Sequence, residues 1–153
     1  MSVHTDPFAR AESTARAWLA LVGRELGTDD RVLAHRVLRA WLHGVRDRLP
    51  VGPAVRFAAQ LPVLLRGEFF DGWNPARVPV PGDVAEFCEQ FAAEAGIHQS
   101  QVADAVTAVG AALDTSCSAG NLGHVLAALP HPLRTLLTPV AGEPVRTGEG
   151  NGR

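Results

Sequence analysis

The sequence has no tyrosine and no lysine, and cysteine occurs only twice among its 153 residues. The absence of tyrosine excludes a catalytic phenol. Cys88 and Cys117 are far apart and lack metal-ligand spacing, so we expect neither a disulfide scaffold nor a metal site built on cysteine. No apolar run approaches the roughly 20 residues that span a membrane, and no secretion signal precedes the first predicted helix. These absences predict a cytoplasmic protein that does not bind membranes.

The composition is that of a folded protein with little excess charge. Apolar residues make up 46% of the chain, which is enough for a core in one domain or in two small units that share it. The 14 basic residues are all arginine, and the net charge of −2 argues against a general nucleic-acid binder. Residues 1–67 carry 10 Arg and 6 acids, whereas residues 68–153 carry 4 Arg and 10 acids. The oppositely charged halves could pair within one chain or between chains. Alternatively, the uneven distribution of charge has no function.

An internal repeat dominates the sequence. Leu61-Pro62 recurs as Leu129-Pro130 at an offset of 68, and apolar residues, turn glycines and prolines around the two steps coincide at that offset. Each copy shows the apolar periodicity of helices. We therefore predict an all-α fold, a compact six-helix bundle built from two tandem three-helix repeats. The third helix of each is expected to kink or break at its Leu-Pro step, because proline lacks an N–H and clashes with the preceding turn.

The predicted organisation has four parts that follow the repeat. The first repeat covers residues 1–67, and a linker rich in proline, glycine and aromatic residues covers 68–82. The second repeat covers 83–139, and a disordered tail covers 140–153. The two repeats are expected to share one core and to form a single domain.

Two stretches of the sequence carry a family resemblance. The first runs from Arg46 to Trp73 and contains Gln-Leu-Pro followed by Arg-Gly-Glu-Phe-Phe-Asp-Gly-Trp; the second is Phe-Cys-Glu-Gln-Phe-Ala-Ala-Glu-Ala-Gly, paired with Ala-Ala-Leu-Pro. Through them the chain resembles the bacterial domain-of-unknown-function 2267 family over about residues 15–137. The resemblance implies a duplicated helical fold and a bacterial origin, and it supplies no activity or functional residue. The second repeat departs from the pattern at Ala128, where the first has Gln60.

The second helix carries the most suggestive candidate site. At 100° per residue, six basic residues fall within an arc of about 140°, opposite the apolar stripe. This basic row consists of Arg31, His35, Arg36, Arg39, His43 and Arg46. It could bind phosphates, carboxylates or an acidic partner helix, or it could be a solvated helix face. The corresponding face of the second repeat carries Asp104 and Asp114 and no arginine, so the row is not part of the repeated scaffold.

Two further features near the end of the first repeat are candidates. Phe70 and Trp73 could anchor a partner or a small apolar ligand, or they could pack the linker over the groove between the repeats. Arg66 and Arg134 follow the two Leu-Pro steps at equivalent positions, and we expect them to cap carbonyls that the prolines free. A ligand bound across the repeat interface is the alternative. Gln60 is expected to hydrogen-bond the same interrupted backbone.

The sequence contains few motifs that indicate catalysis. No two of the six histidines have the i, i+4 spacing of a helical metal site, both cysteines fall at inward positions, and Gly120 and Gly123 lack the following lysine of a phosphate-binding loop. We therefore expect no catalytic residue, no metal and no cofactor, although a convergent carboxylate pair stays open.

The sequence thus leaves three functional hypotheses. The leading one is a non-enzymatic helical interaction or regulatory module that binds a protein partner or self-associates, with the groove between the repeats and the basic row as contact surfaces. The first alternative is an anion or nucleic-acid binder that uses the basic row. The second alternative is an enzyme or small-ligand binder with its site between the repeats.

Overall fold

A computed structural model describes residues 6–139; residues 1–5 and the predicted tail, 140–153, lie outside the described residues. The described chain is all-α, as predicted, with eight α-helices, one 3₁₀ turn and no strand. The helices are α1 Ala9–Leu26, α2 Arg31–Arg48, α3 Val51–Ala58, α4 Val63–Phe70, α5 Val84–Ala95, α6 Val102–Ser116, α7 Asn121–Leu126 and α8 His131–Leu137. The 3₁₀ turn, Gln99–Gln101, leads into α6.

The predicted number of six helices is wrong for the described residues, because both Leu-Pro steps separate two helices. Leu61 and Pro62 lie between α3 and α4, and Leu129 and Pro130 lie between α7 and α8. A proline inside a helix loses one backbone hydrogen bond and clashes with the preceding turn. Pro62 and Pro130 each stand directly before the first residue of the next helix, where the missing N–H has no helical partner to lose.

Local signals in the sequence fix where several helices begin and end. The carboxylate of Asp30 accepts hydrogen bonds from the N–H groups of Val32 and Leu33, at 3.0 and 3.2 Å, and so caps the start of α2. Gly27 and Gly96 end α1 and α5 with φ angles of 71° and 69°, a left-handed conformation that other residues rarely adopt.

The helices pack in a reciprocal arrangement. Helix α1 lies against α6, and α2 lies against α5, while α4 contacts α2 and α8 contacts α6. Helices α3 and α7 contact each other. A single cluster of buried apolar side chains extends through all of these contacts, from Val22 in α1 to Leu137 in α8. The described chain therefore folds around one core to which both halves contribute.

Helix α2 approaches α5 closely because Gly44 has no side chain at the contact. A Cβ atom at Gly44 would lie 2.7 Å from Cε2 of Phe87, which is shorter than any ordinary carbon–carbon contact. The Phe87 ring is 1% exposed, so it has little freedom to move away. This close approach brings the polar residues of α5 next to the basic row of α2.

The arginines that follow the two Leu-Pro steps bind the interrupted backbone. Arg66 donates from Nε to the carbonyl of Ala58 at 3.0 Å. In a continuous helix this carbonyl would accept a hydrogen bond from the N–H of residue 62, which proline lacks. Arg134 donates to the carbonyl of Leu129 at 3.2 Å. The expectation for Gln60 is wrong: its side chain is exposed, and Oε1 accepts a hydrogen bond from Nδ2 of Asn121 at 3.0 Å.

Candidate functional site

The basic row of α2 contacts α4 and α5; His35, Arg39 and His43 are half-buried there, whereas Arg36 is exposed. His35 pairs through Nε2 with a carboxylate oxygen of Glu68 on α4. Arg36 donates from Nε to the carbonyl of Ala95 at 3.0 Å, at the last turn of α5. A cation at that position is favourable because the carbonyl groups at a helix C-terminus carry partial negative charge.

Arg39 lies at the centre of the row among three carboxylates. It hydrogen-bonds Asp71, and its guanidinium nitrogens lie 3.9 Å from carboxylate oxygens of Glu68 and Glu94. The hydrogen bond from Arg39 lowers the pKa of the Asp71 carboxyl below its ordinary value of 3.8, and Asp71 in turn raises the pKa of Arg39. The positive charge of Arg39 is therefore compensated within the chain.

His43 bridges α5 and α4 with both of its ring nitrogens. Nδ1 contacts a carboxylate oxygen of Glu94, and Nε2 lies 2.7 Å from the backbone carbonyl of Glu68. His43 thus links α4 and α5 to α2.

The two ends of the row differ from each other. Arg46 is only 5% exposed; it donates to the carbonyls of Phe69 and Asp71 at 2.9 and 2.7 Å and to the Asp47 carboxylate at 2.8 Å. Arg46 is therefore not part of an exposed surface, because Phe69 and Asp71, at the end of α4, cover it. Arg31, at the start of α2, is exposed.

Phe70 and Trp73 extend an aromatic chain that begins in the core. Ring centres are 6.0 Å apart between Trp41 and Phe57, 5.6 Å between Phe57 and Phe69, 5.2 Å between Phe69 and Phe70, and 5.1 Å between Phe70 and Trp73. Both candidate residues are half-buried and pack against the core. This placement favours the interpretation that they fasten the linker to the core.

Arg48 is the buried cation that the sequence reasoning missed. Its side chain donates to the carbonyl of Gly44 at 3.1 Å and to Oε1 of Gln90 at 3.0 Å, and its Cζ lies 5.1 Å from the ring centre of Phe87. Burial lowers the pKa of Arg48 from its ordinary value. Its position seven residues after Trp41, two helical turns along the apolar stripe, was the signal that could have identified it.

A groove lies where α3 meets α7, at the junction of the two halves. Its volume is about 540 Å³. Its lining is Pro53, Arg56, Ala59, Gln60, Asn121, His124, Val125, Ala127 and Ala128. Several of these residues stand 68 positions apart, including Ala59 with Ala127 and Arg56 with His124. The groove therefore combines small apolar side chains with a cationic or ionisable group from each half.

Four large aliphatic side chains on α3 and α4 are exposed, and we refer to them together as the outer apolar face. They are Val51, Val55, Val63 and Leu64, which are 41%, 47%, 58% and 42% exposed. The residues 68 positions later are Ala119, Gly123, His131 and Pro132. The second half therefore has no large aliphatic side chain at these positions.

The segments that contain α3 and α7 lack acidic residues. Neither residues 48–67 nor residues 115–139 contain aspartate or glutamate. The arginines and histidines in those ranges are Arg48, Arg56, Arg66, His124, His131 and Arg134. The helices that line the groove, α3 and α7, therefore contribute only neutral or basic residues to it.

Other kinds of site find little support in the part of the chain that the structure describes. Within residues 6–139, no three His, Cys, Asp or Glu side chains are grouped so that they could hold a metal ion. Burial raises the pKa of both free thiols, Cys88 and Cys117, which lowers their reactivity as nucleophiles. No described helix is both long and apolar enough to cross a membrane.

Comparison with known proteins identifies one relationship. No curated protein matches the chain in sequence. A family model described as "Uncharacterized conserved protein (DUF2267)" matches residues 15–136, in agreement with the resemblance noted in the sequence. Because this match covers most of the chain, the chain belongs to the DUF2267 family.

Proposed function

We propose that the chain is a non-enzymatic helical interaction module that holds a protein partner in the groove between α3 and α7. The observation that carries this proposal is the outer apolar face on α3 and α4, which shares helix α3 with an acid-free groove and has no counterpart in the second half. An exposed apolar surface of this kind is typical of a protein-binding site.

The groove position follows from the duplication, which we propose to be the origin of the fold. Residues 68 positions apart have matching burial, as Phe57 and Val125 or Leu61 and Leu129 illustrate. The packing of α1 on α6 and of α2 on α5 is the pattern that an approximate two-fold axis between the halves would produce. On that axis α3 meets its counterpart α7, so the groove is the place where two similar helices form one site. Sites at such junctions gain binding groups from both sides.

The basic row supports the first alternative less well. An added phosphate would have to displace Asp71 from Arg39 and Glu94 from His43, and Arg46 is buried. Charges already paired within a protein offer little net attraction to a new anion. We therefore propose that the row holds α4 and α5 on α2 and thereby supports the groove.

A small apolar anion in the groove is a second candidate. Arg56, Gln60, Asn121 and His124 bring polar groups to a mostly apolar lining. This combination also suits a small molecule that carries one negative charge, and the volume lies within the usual range of about 300–1,000 Å³ for ligand sites. The protein partner is favoured because the outer apolar face extends the surface beyond the groove.

Three expectations about context are proposals. The presence of two free cysteines suits a reducing compartment, so we propose a cytoplasmic location. A bacterial origin is implied by the family resemblance. Self-association through the unlike charges of the two halves would weaken as salt rises, and sedimentation at two ionic strengths measures it.

Site-specific photo-crosslinking tests the proposed function. A photoreactive phenylalanine derivative at position 59 lies in the groove, whereas the same group at the exposed position 103 on α6 is the matched control. We expect a protein adduct in native-host cells from position 59 and none from position 103. Equal adducts at both positions, or none at either, would contradict the proposal. An adduct of only a few hundred daltons at position 59 would favour the small ligand.

A further inference from the structure

We infer that the segment bound in the α3–α7 groove is an acidic amphipathic helix of a partner protein. The inference rests on the proposed function and adds the chemistry of the partner to it. Three properties of the groove carry it: its shape, its small side chains and its charge.

The shape of the groove fits a helix better than an extended peptide. Its walls are α3 and α7, which at about 1.5 Å per residue are roughly 12 and 9 Å long. An extended peptide is usually held by main-chain hydrogen bonds to a strand edge, and residues 6–139 contain no strand. A helix satisfies its own backbone and presents side chains at i, i+3, i+4 and i+7 to the space between two other helices.

The lining of the groove includes three alanines, Ala59, Ala127 and Ala128. Because each contributes only a methyl group, the groove has room for a larger side chain. A leucine or phenylalanine from the partner would fill this space, and the exposed Val55 would cover the flank of the same helix. The site therefore selects a helix with one apolar stripe.

The charge of the groove selects the residues beside that stripe. Arg56 and His124 enter the lining from opposite walls, and the surrounding ranges 48–67 and 115–139 contain no acid that could neutralise them. Carboxylates on both sides of the partner's apolar stripe would meet these two groups. A basic helix would bring like charges together in a site without counter-charges, which is unfavourable. An anionic membrane is disfavoured because the groove is concave and lined by only two such groups.

A selection experiment tests the inference on the full chain. A displayed library of helix-forming peptides of about 16 residues, with randomised surface positions, is selected on the immobilised protein. The groove is filled in Ala127→Trp, and Ala103→Trp adds the same side chain at an exposed site on α6 as the matched control. Circular dichroism confirms that each variant is folded. We expect enriched peptides to combine an apolar stripe with excess Asp and Glu, and to bind Ala127→Trp about tenfold more weakly than Ala103→Trp.

A charge exchange then tests the acidic preference directly. Arg56→Glu should weaken binding of an enriched peptide by about tenfold, whereas Arg24→Glu, which changes an exposed arginine on α1, should have an effect below about twofold. Replacing the peptide's glutamates with lysines should reverse this preference, so that the exchanged peptide binds Arg56→Glu better than the unchanged protein.

The possible outcomes separate the inference from the proposed function. Enrichment of neutral or basic helices that lose binding in Ala127→Trp would overturn the acidic partner and leave the groove as a protein-binding site. No groove-dependent peptide, together with no crosslink from position 59, would overturn both. Binding to phosphatidylglycerol vesicles that Arg56→Glu weakens, without any groove-dependent peptide, would replace the partner helix with a lipid surface.

Discussion

At the scale of single residues, the basic row shows that charged side chains can be structural even when they form a regular face. Spacing predicted that the six basic residues share one side of a helix, but it could not predict the partners of the row. Arg39 and Asp71 are 32 positions apart, and His43 and Glu94 are 51 apart. No local pattern joins such pairs, because they meet only after α4 and α5 have packed on α2. Periodicity predicts which way a side chain points and leaves open what it meets.

The contact between Arg39 and Asp71 predicts a pH dependence of stability. Because Arg39 lowers the pKa of Asp71 in the folded state, the contact stabilises the protein above pH 3.8, the ordinary value of this carboxyl. This contribution is lost as the pH falls through the lowered pKa. Asp71→Asn should therefore lower the melting temperature near neutral pH, and its difference from the unchanged protein should vanish in strong acid.

A melting series from neutral pH into strong acid measures this effect. Asp104→Asn on α6 is the control, because it removes the same charge from an exposed site. A difference between Asp71→Asn and the unchanged protein that stayed constant into strong acid would show that the contact contributes through something other than the charge of Asp71.

At the scale of elements, the helical class was the most predictable part of the fold. Apolar spacing predicted helices in both halves, and the described residues contain helices and no strand. The Leu-Pro steps were recognised as interruptions, but a sequence does not show whether proline bends a helix or ends it. Here Arg66 donates to the carbonyl of Ala58, which has no N–H partner at Pro62. Because this carbonyl is hydrogen-bonded, the separation into two helices costs little free energy.

The close contact of α2 with α5 predicts opposite effects for two glycine substitutions. Gly44→Ala would place a Cβ atom 2.7 Å from the Phe87 ring, and we expect it to lower the free energy of unfolding by about 1–3 kcal/mol despite the better helix propensity of alanine. Gly67→Ala lies in α4 with no atom within 4 Å of the new Cβ, and it should stabilise by about 0.5–1 kcal/mol. Urea unfolding of both variants measures these changes. Stabilisation by Gly44→Ala would show that α2 and α5 are less closely packed than described.

At the scale of the whole molecule, the two halves share a single core. We therefore expect a core substitution in one half to lower the stability of both. Trp41 is completely buried at the centre of α2, and its Nε1 has no hydrogen-bond partner. Trp41→Ala should therefore cost about 3–5 kcal/mol through the cavity it leaves. Trp41→Phe should cost clearly less, because it keeps most of the ring volume and loses no hydrogen bond.

Hydrogen exchange resolved by residue measures whether the halves respond together. Protection should fall in α2 and α6 alike in Trp41→Ala, since these helices share the cluster. Loss of protection confined to α2 and its neighbours in the first half would indicate two independently stable units.

The reciprocal packing of the halves has a consequence for assembly. Helix α1 packs against α6, and α2 packs against α5. Each half therefore completes its core with helices of the other half, and residues 71–83 form the connection between the two halves. The same contacts would form if the complementary half came from another molecule. Shortening that connection until it can no longer turn back should therefore favour an intertwined dimer in which each groove combines α3 of one chain with α7 of the other.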